Sequence, residues 1–166
     1  SNWAKTNNTN LKQWVSAIAQ FESLSSLATL AFNNPSWCYP TQCSSSFELQ
    51  AQDMGHPLIP SQNRICNNMQ LSGNGKVMLI TGSNMAGKST FLRTIGVNLV
   101  LAQCGAPVCA QRLVHSPVTP YTSMRIADSL GENTSTFYAE LKRLRAVLEA
   151  VKEKKPIIAL LDEVLR

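Results

Sequence analysis

Apolar positions along this chain change period several times, and each change predicts an element. From Leu11 to Phe32, the residues Leu11, Trp14, Val15, Ile18, Phe21, Leu24 and Ala28 recur at about 3.6-residue spacing, which predicts an amphipathic helix. Lys12 and Glu22 are its only charges, and Asn33-Asn34-Pro35 ends it. Such a stripe reads first as a packing helix; the other reading is an interface with a domain outside this chain. The preceding Asn2 to Asn10 is polar and expected to fray. Val77-Met78-Leu79-Ile80 is a short unbroken apolar run with strand character. Phe91, Leu92, Ile95, Leu99 and Leu101 then return to helical spacing until Gly105 and Pro107. A further helix runs to about Glu153 on the stripe Phe137, Leu141, Leu144, Leu148 and Val151, with Lys142, Arg143, Arg145, Glu149 and Lys152 on a solvated face. After Pro156, Ile157 to Leu161 is again continuously apolar, as in a strand buried on both faces. Phe47 to Ala51, Val108 to Ala110, Leu113-Val114 and Thr122 to Ile126 predict shorter strands, the last ones separated by Pro117 and Pro120. Ser61 to Leu71 reads as loop with short strand pieces, and His56 before Pro57 as an extended turn residue. Strands alternating with helices indicate an α/β fold.

The chemistry sits where a predicted strand becomes a predicted helix. Thr81 to Thr90 reads Thr-Gly-Ser-Asn-Met-Ala-Gly-Lys-Ser-Thr, and Gly82, Gly87, Lys88 and Ser89 satisfy G-x-x-x-x-G-K-S/T, the phosphate-binding loop. In such a loop the backbone N–H groups and the helix N-terminus face the same anion. Amides from Asn84 through Met85, Ala86 and Gly87 to Lys88 are expected to cradle the phosphates. Lys88 is expected to neutralise the outer two, and the Ser89 hydroxyl to reach Mg²⁺. The run ending in Asp162-Glu163 has the form of a Walker B strand. Asp162 is expected to hold the same Mg²⁺ through water, and Glu163 to orient or deprotonate the attacking water. This set performs the core of a phosphoryl-transfer hydrolase but lacks a charge donor to the γ-phosphate, which a second subunit is expected to supply. Leu71-Ser72-Gly73-Asn74-Gly75 resembles the signature of ABC ATPases, but it precedes the phosphate loop and reads as a turn between strands.

Composition narrows this picture without redirecting it. A length of 166 residues suits one domain. The net charge of +5 permits a nucleic-acid partner without requiring one. The five cysteines form no C-x-x-C pair, and the only histidines are His56 and His115, so a zinc site is not expected; reduced structural cysteines of a cytoplasmic protein are. By apolar run length the chain holds no membrane span. It opens on Ser1-Asn2 and stops just after an apolar strand, so it reads as a piece of a longer protein.

Asn84 and Met85 before Ala86-Gly87-Lys88-Ser89-Thr90 closely resemble the phosphate loop of the MutS family of DNA mismatch-repair ATPases. Ser135-Thr136-Phe137 with Glu140 is similar to that family's signature loop and helix. Leu161-Asp162-Glu163 is similar to its Walker B strand, and His56-Pro57 to the His-Pro ahead of its nucleotide-binding strand. The stretch from Phe21-Glu22 to Pro35 is similar to the helix leading from the lever region into the ATPase. The resemblance implies an ABC-ATPase-like P-loop NTPase sheet with flanking helices, entered by an N-terminal helical segment over residues 1–46, with the ATPase domain over 47–166 and truncated after Walker B. It implies ATP and Mg²⁺ as ligands, and a homodimer in which Ser135 of one subunit meets the γ-phosphate held by the other. It also implies double-stranded DNA, mismatched or branched, bound through regions outside this chain. Arg64 and Ile65 occupy the region that contacts adenine in the family. Ser83, where many members have Pro, and Gly55, where Arg is common, indicate a divergent branch. No mismatch-reading domain and no Phe-x-Glu wedge precede the helix, so a family ATPase acting in recombination or another DNA transaction is the competing expectation. Alone, this stretch is expected to bind ATP weakly and hydrolyse it slowly, and to expose a sheet edge that the intact protein covers.

Overall fold

The computed structural model describes residues 2–44, 47–83, 86–124 and 133–163, with the side chains at 2, 4–6, 8–9 and 133–137 outside that description. Helix α1 (Asn2–Asn33) leads in. A four-stranded sheet follows, built from β1 (Thr41–Gln42), β2 (Glu48–Met54), β3 (Asn67–Ser72) and β4 (Arg112–His115) in the order β1-β4-β2-β3. Its strands pair antiparallel except β1 with β4. Helix α2 (Lys88–Gln103) interrupts that series. Strand β5 (Thr119–Ser123), helix α3 (Asn133–Lys152) and strand β6 (Ile157–Leu161) form a β-α-β unit, with β5 and β6 parallel from Thr119↔Ile157 to Ser123↔Leu161.

Period-two alternation builds the first sheet's inner face. Leu49, Ala51 and Met54 of β2 point inward with Met69 of β3 and Leu113 of β4, all buried. The phase survives from Ala51 to Met54 because a bulge intervenes, where Asp53 takes φ 47 and its N–H is held by Asn68 Oδ1 at 2.8 Å. One core joins this face to Ile95, Leu99 and Ala102 of α2, to Val108, and to Ile158 and Leu160 of β6. Asn74, ahead of Gly75, falls in the tight turn after β3, where Gly73 (φ 88) and Gly75 (φ 66) adopt the left-handed geometry expected of that segment.

Helix α2 crosses β6 at Gly96, where an added Cβ would stand 3.1 Å from Leu160 Cδ1. Gly96→Val is therefore expected to wedge the helix off the strand and lower unfolding free energy by about 1–3 kcal/mol, whereas Gly96→Ala is expected to be near neutral, its helix propensity offsetting the tight contact. Urea denaturation of the two variants beside the parent checks this.

Several expectations change. Asn2–Asn10, expected to fray, is helical from the first described residue. Val108–Ala110 forms no strand, only the bridge of Val108 with Cys38. Strand β6, expected to be buried on both faces, alternates, with Ile158 and Leu160 buried and Ala159 and Leu161 exposed. Val77–Ile80 forms no ladder: Val77 is 90% and Leu79 83% exposed. An apolar run becomes a strand only when neighbours accept and donate its backbone hydrogen bonds, and among the described residues β6 pairs with β5 alone. Pro120, expected to separate strands, lies inside β5 opposite Ile158, which an edge strand tolerates. Among the described side chains of α3 the buried residue is Ala150, with Leu144, Ala146 and Val147 half-buried, while Leu141, Leu148 and Val151 of the expected stripe face outward. The charged face is solvated as expected, with Arg145 Nε donating to Glu149 Oε1 at 2.7 Å. Finally, α1 is not a packed helix along most of its length: Trp14 is 50% and Phe21 73% exposed. Its stretch Asn10–Asn33 has the length and mean hydropathy, 1.2, of a membrane-crossing helix by composition alone, with none of it buried. Counting unbroken apolar runs passes over it because Ser, Thr and Gln interleave the stripe.

Candidate phosphate-binding site

The helix start at Lys88 is built by Gly87, whose φ of 83 and ψ of 12 place it in the left-handed region at the N-cap. That geometry turns the chain from loop into helix within one residue, and a side chain there would be strained. Phe91 N–H then donates to Gly87 O at 2.8 Å, the first helical bond, and Ala86 N–H closes a turn onto Ser83 O at 3.3 Å. The N–H groups of the first helical turn have no intrahelical acceptor and project beyond the helix end. Lys88 folds back over the loop, and its Nζ donates to Gly82 O at 2.9 Å and Ser83 O at 2.7 Å. Gly82, Ser83, Gly87 and Lys88 are thus assembled into one loop, with Ser89 and Thr90 entering α2 beside them. Asn84 and Met85 lie outside the described residues.

The acidic pair lies where the strand delivers it. Asp162 N–H donates to Ser123 O at 2.9 Å, continuing the β5–β6 ladder one residue past β6, and Glu163 then takes φ 46. A non-glycine residue held at positive φ stores strain, and such strain concentrates at functional positions. Helix α2 packs against both β5 and β6, so the glycine loop and the acidic strand end belong to one packed unit. Ser135 falls in the first turn of α3, which begins at Asn133, and its side chain lies outside the described residues.

On the other flank, Ile65 is 81% exposed, while its neighbour Arg64 is anchored: Nε donates to Ile59 O at 2.9 Å and the guanidinium lies over the Trp37 ring, 5.8 Å from its centroid. His56 Nδ1 accepts from Leu58 N–H at 3.2 Å, which requires that nitrogen to be unprotonated. Burial, then the positive charges of Arg93 and Arg64, push its pKa below the ordinary histidine value. Among the buried polar residues that periodicity passed over is Asn98. Wholly buried in α2, it sits on the apolar face between Ile95 and Leu99. A cleft of ≈ 400 Å³ lined by Gln50, Gln52, Asn68, Gln70 and Arg112 opens on the first sheet's outer face and holds none of the expected site residues. Among the described residues the five cysteines form no disulfide and no cluster of metal-ligating side chains forms.

Two sheets flanked by helices define a mixed α/β protein, in which a left-handed glycine opens a helix onto a lysine. Residues 78–166 match the family model described as MutS domain V. The chain is 34% identical over 144 residues to the DNA mismatch repair protein MutS of Thermotoga petrophila, covering 84% of this chain and 18% of that protein. It is 32% identical over 158 residues to the same-named protein of Granulibacter bethesdensis, covering 90% of this chain and 16% of that protein. It is 38% identical over 109 residues to Endonuclease MutS2 of Thermus thermophilus, covering 65% of this chain and 14% of that protein. This chain belongs to the MutS family. It spans about a fifth of the length of the Thermotoga relative.

Proposed function

We propose that this chain is the ATP-binding part of a MutS-family DNA-repair ATPase, a P-loop NTPase of ABC type in which ATP binding and hydrolysis drive a dimeric clamp on DNA. The observation that carries the reading is the loop from Gly82 to Lys88: a left-handed glycine, a helix N-terminus and a lysine folded over the same turn. These are the donors a triphosphate needs, and the acidic strand end at Asp162 and Glu163 supplies the complementary oxygens. On this reading residues 1–46 lead into an ATPase domain over 47–166. Lys88 exchanges its two carbonyl contacts for phosphate oxygens, gaining charge-assisted bonds. Ser89 directly and Asp162 through water would hold Mg²⁺, which would supply charge neutralisation of the outer phosphates. Glu163 orients the attacking water, and Ser135 of a second subunit meets the γ-phosphate at a helix N-terminus. The donor set fits these ligands: hydroxyl and carboxylate oxygens suit a hard cation.

A second reading, a family ATPase in another DNA transaction without mismatch recognition, is favoured by the similarity to a protein named Endonuclease MutS2. ATP hydrolysis by the intact protein with perfect, mismatched and branched duplex DNA separates the two. Stimulation by mismatched over perfect duplex is expected. Equal response to both moves the assignment to the second reading, and indifference to every DNA removes the DNA-coupled ATPase.

A further inference from the structure

Helix α3 turns an apolar seam away from the strands it packs on. Leu141, Leu144, Leu148 and Val151 alternate three- and four-residue steps, the spacing of a coiled-coil seam sustained over two heptads. Ala150 is buried, and α3 packs against β5 and β6. Most of the seam lies on the other side: Leu148 is 61% and Val151 55% exposed, Leu141 is exposed and Leu144 half-buried.

One flank of this seam is cationic. Arg145 and Lys152 stand beside it at equivalent positions one heptad apart, and Lys154 follows. Glu149 takes Arg145 and Glu153 takes Lys155, but Lys152 and Lys154 form no ion pair among the described residues. Residues 142–155 hold six of the chain's fifteen lysines and arginines and two of its ten acidic residues, so the net charge of +5 is concentrated along this helix. The helix end is strained as well. Lys154 N–H donates to Val151 O and Lys155 N–H to Ala150 O, both at 3.0 Å, which closes α3 with Lys154 at φ 55. Glycine takes that left-handed closing position without strain, and a lysine does not. The helix dipole favours a cation near this end, but it does not require one at the strained residue.

We propose that the outer face of α3 docks an acidic amphipathic helix of a separate partner protein. The partner's leucine-type residues pack along Leu141, Leu144, Leu148 and Val151, and its glutamates or aspartates meet Arg145, Lys152 and Lys154. Charge selects this occupant. Helices α1 and α2 carry one acid between them, Glu22. A second copy of α3 would bring Tyr138, Arg145, Val147 or Lys152 to the flank facing Lys152, none of them acidic. A nucleic-acid backbone would leave the leucine seam facing water. Unpaired lysines beside a narrow apolar seam suit a reversible contact, since permanent interfaces are more apolar and depleted of charge.

The probe is a fluorescein-labelled three-heptad helical peptide with leucine at its seam positions and glutamate on its flanks, titrated by anisotropy with this chain and with the intact protein. Both are expected to bind it. Leu148→Ser and Lys152→Glu change exposed side chains, keep the fold, and are each expected to weaken binding about tenfold. Lys152→Glu is expected to gain affinity for a lysine-flanked version of the peptide. Lys154→Gly separates strain from recognition: the unfolding temperature is expected to rise while probe affinity falls about threefold. Absence of probe binding, equal binding of the glutamate- and lysine-flanked peptides, binding that survives serine in place of the peptide's leucines, or unchanged affinity in Leu148→Ser and Lys152→Glu overturns the proposal. Tighter binding of duplex DNA or phosphatidylserine vesicles through Leu148 and Lys152 overturns it too, as does self-association of the chain that Leu148→Ser abolishes. Binding by this chain but not by the intact protein places the occupant in the same polypeptide and excludes the separate partner.

Discussion

In the intact protein, replacing Lys88 by alanine is expected to remove Mg·ATP binding while leaving the fold in place. Among the described residues the ammonium bonds the loop carbonyls of Gly82 and Ser83 alone, so its loss removes no core contact seen there. Thermal unfolding of the variant is accordingly expected to match the parent. Toward a triphosphate the same group supplies charge-assisted bonds worth about 1.5–3 kcal/mol each, and losing two of them weakens affinity by about a hundredfold or more. Isothermal calorimetry reads the change directly. ATP affinity equal to the parent's would exclude the glycine loop as the nucleotide site.

Glu163→Gln carries the second large effect, measured in the intact protein. The side chain keeps its length and polarity but can no longer take a proton from water, so steady-state hydrolysis is expected to fall by about 10²–10³-fold with ATP binding preserved. The position supports this role. Asp162 is fixed by the last bond of the β5–β6 ladder, and the chain turns sharply at Glu163 with φ 46. A glutamate required only for packing would show the opposite pattern, with stability lowered and turnover per folded molecule kept. Turnover within threefold of the parent would defeat the catalytic assignment.

The parts of the candidate site are legible in the chain because each is local. A glycine loop needs residues of fixed type at fixed spacing, and Gly82 to Ser89 supplies them within one turn of chain. The strand at Ile157–Leu161 was legible because it is unbroken and bounded by Pro156, and it formed with those limits. The helix starting at Lys88 was equally plain, since its apolar residues keep one period for sixteen residues. Asn98 shows where such reading stops. A polar residue on an apolar face signals that something buried must meet it, but only the folded chain identifies the partners as Gly55 and Cys109.

The facing of α3 and the state of Val77–Ile80 mark the same division. Helical spacing established that Asn133–Lys152 coils, because period is a property of a single segment. Which stripe faces inward depended on the neighbours: toward β5 and β6 the helix buries Ala150 and leaves Leu148 exposed. Apolar content likewise marked Val77–Ile80 for burial, but a strand exists only through a neighbour's hydrogen bonds, and pairing is settled between segments. The identity of the phosphate loop and of the acidic strand end lies in residue order alone. The packing of α2 against both β5 and β6 and the exposure of α1 arise only when distant parts of the chain meet, since each depends on contacts that no local period encodes.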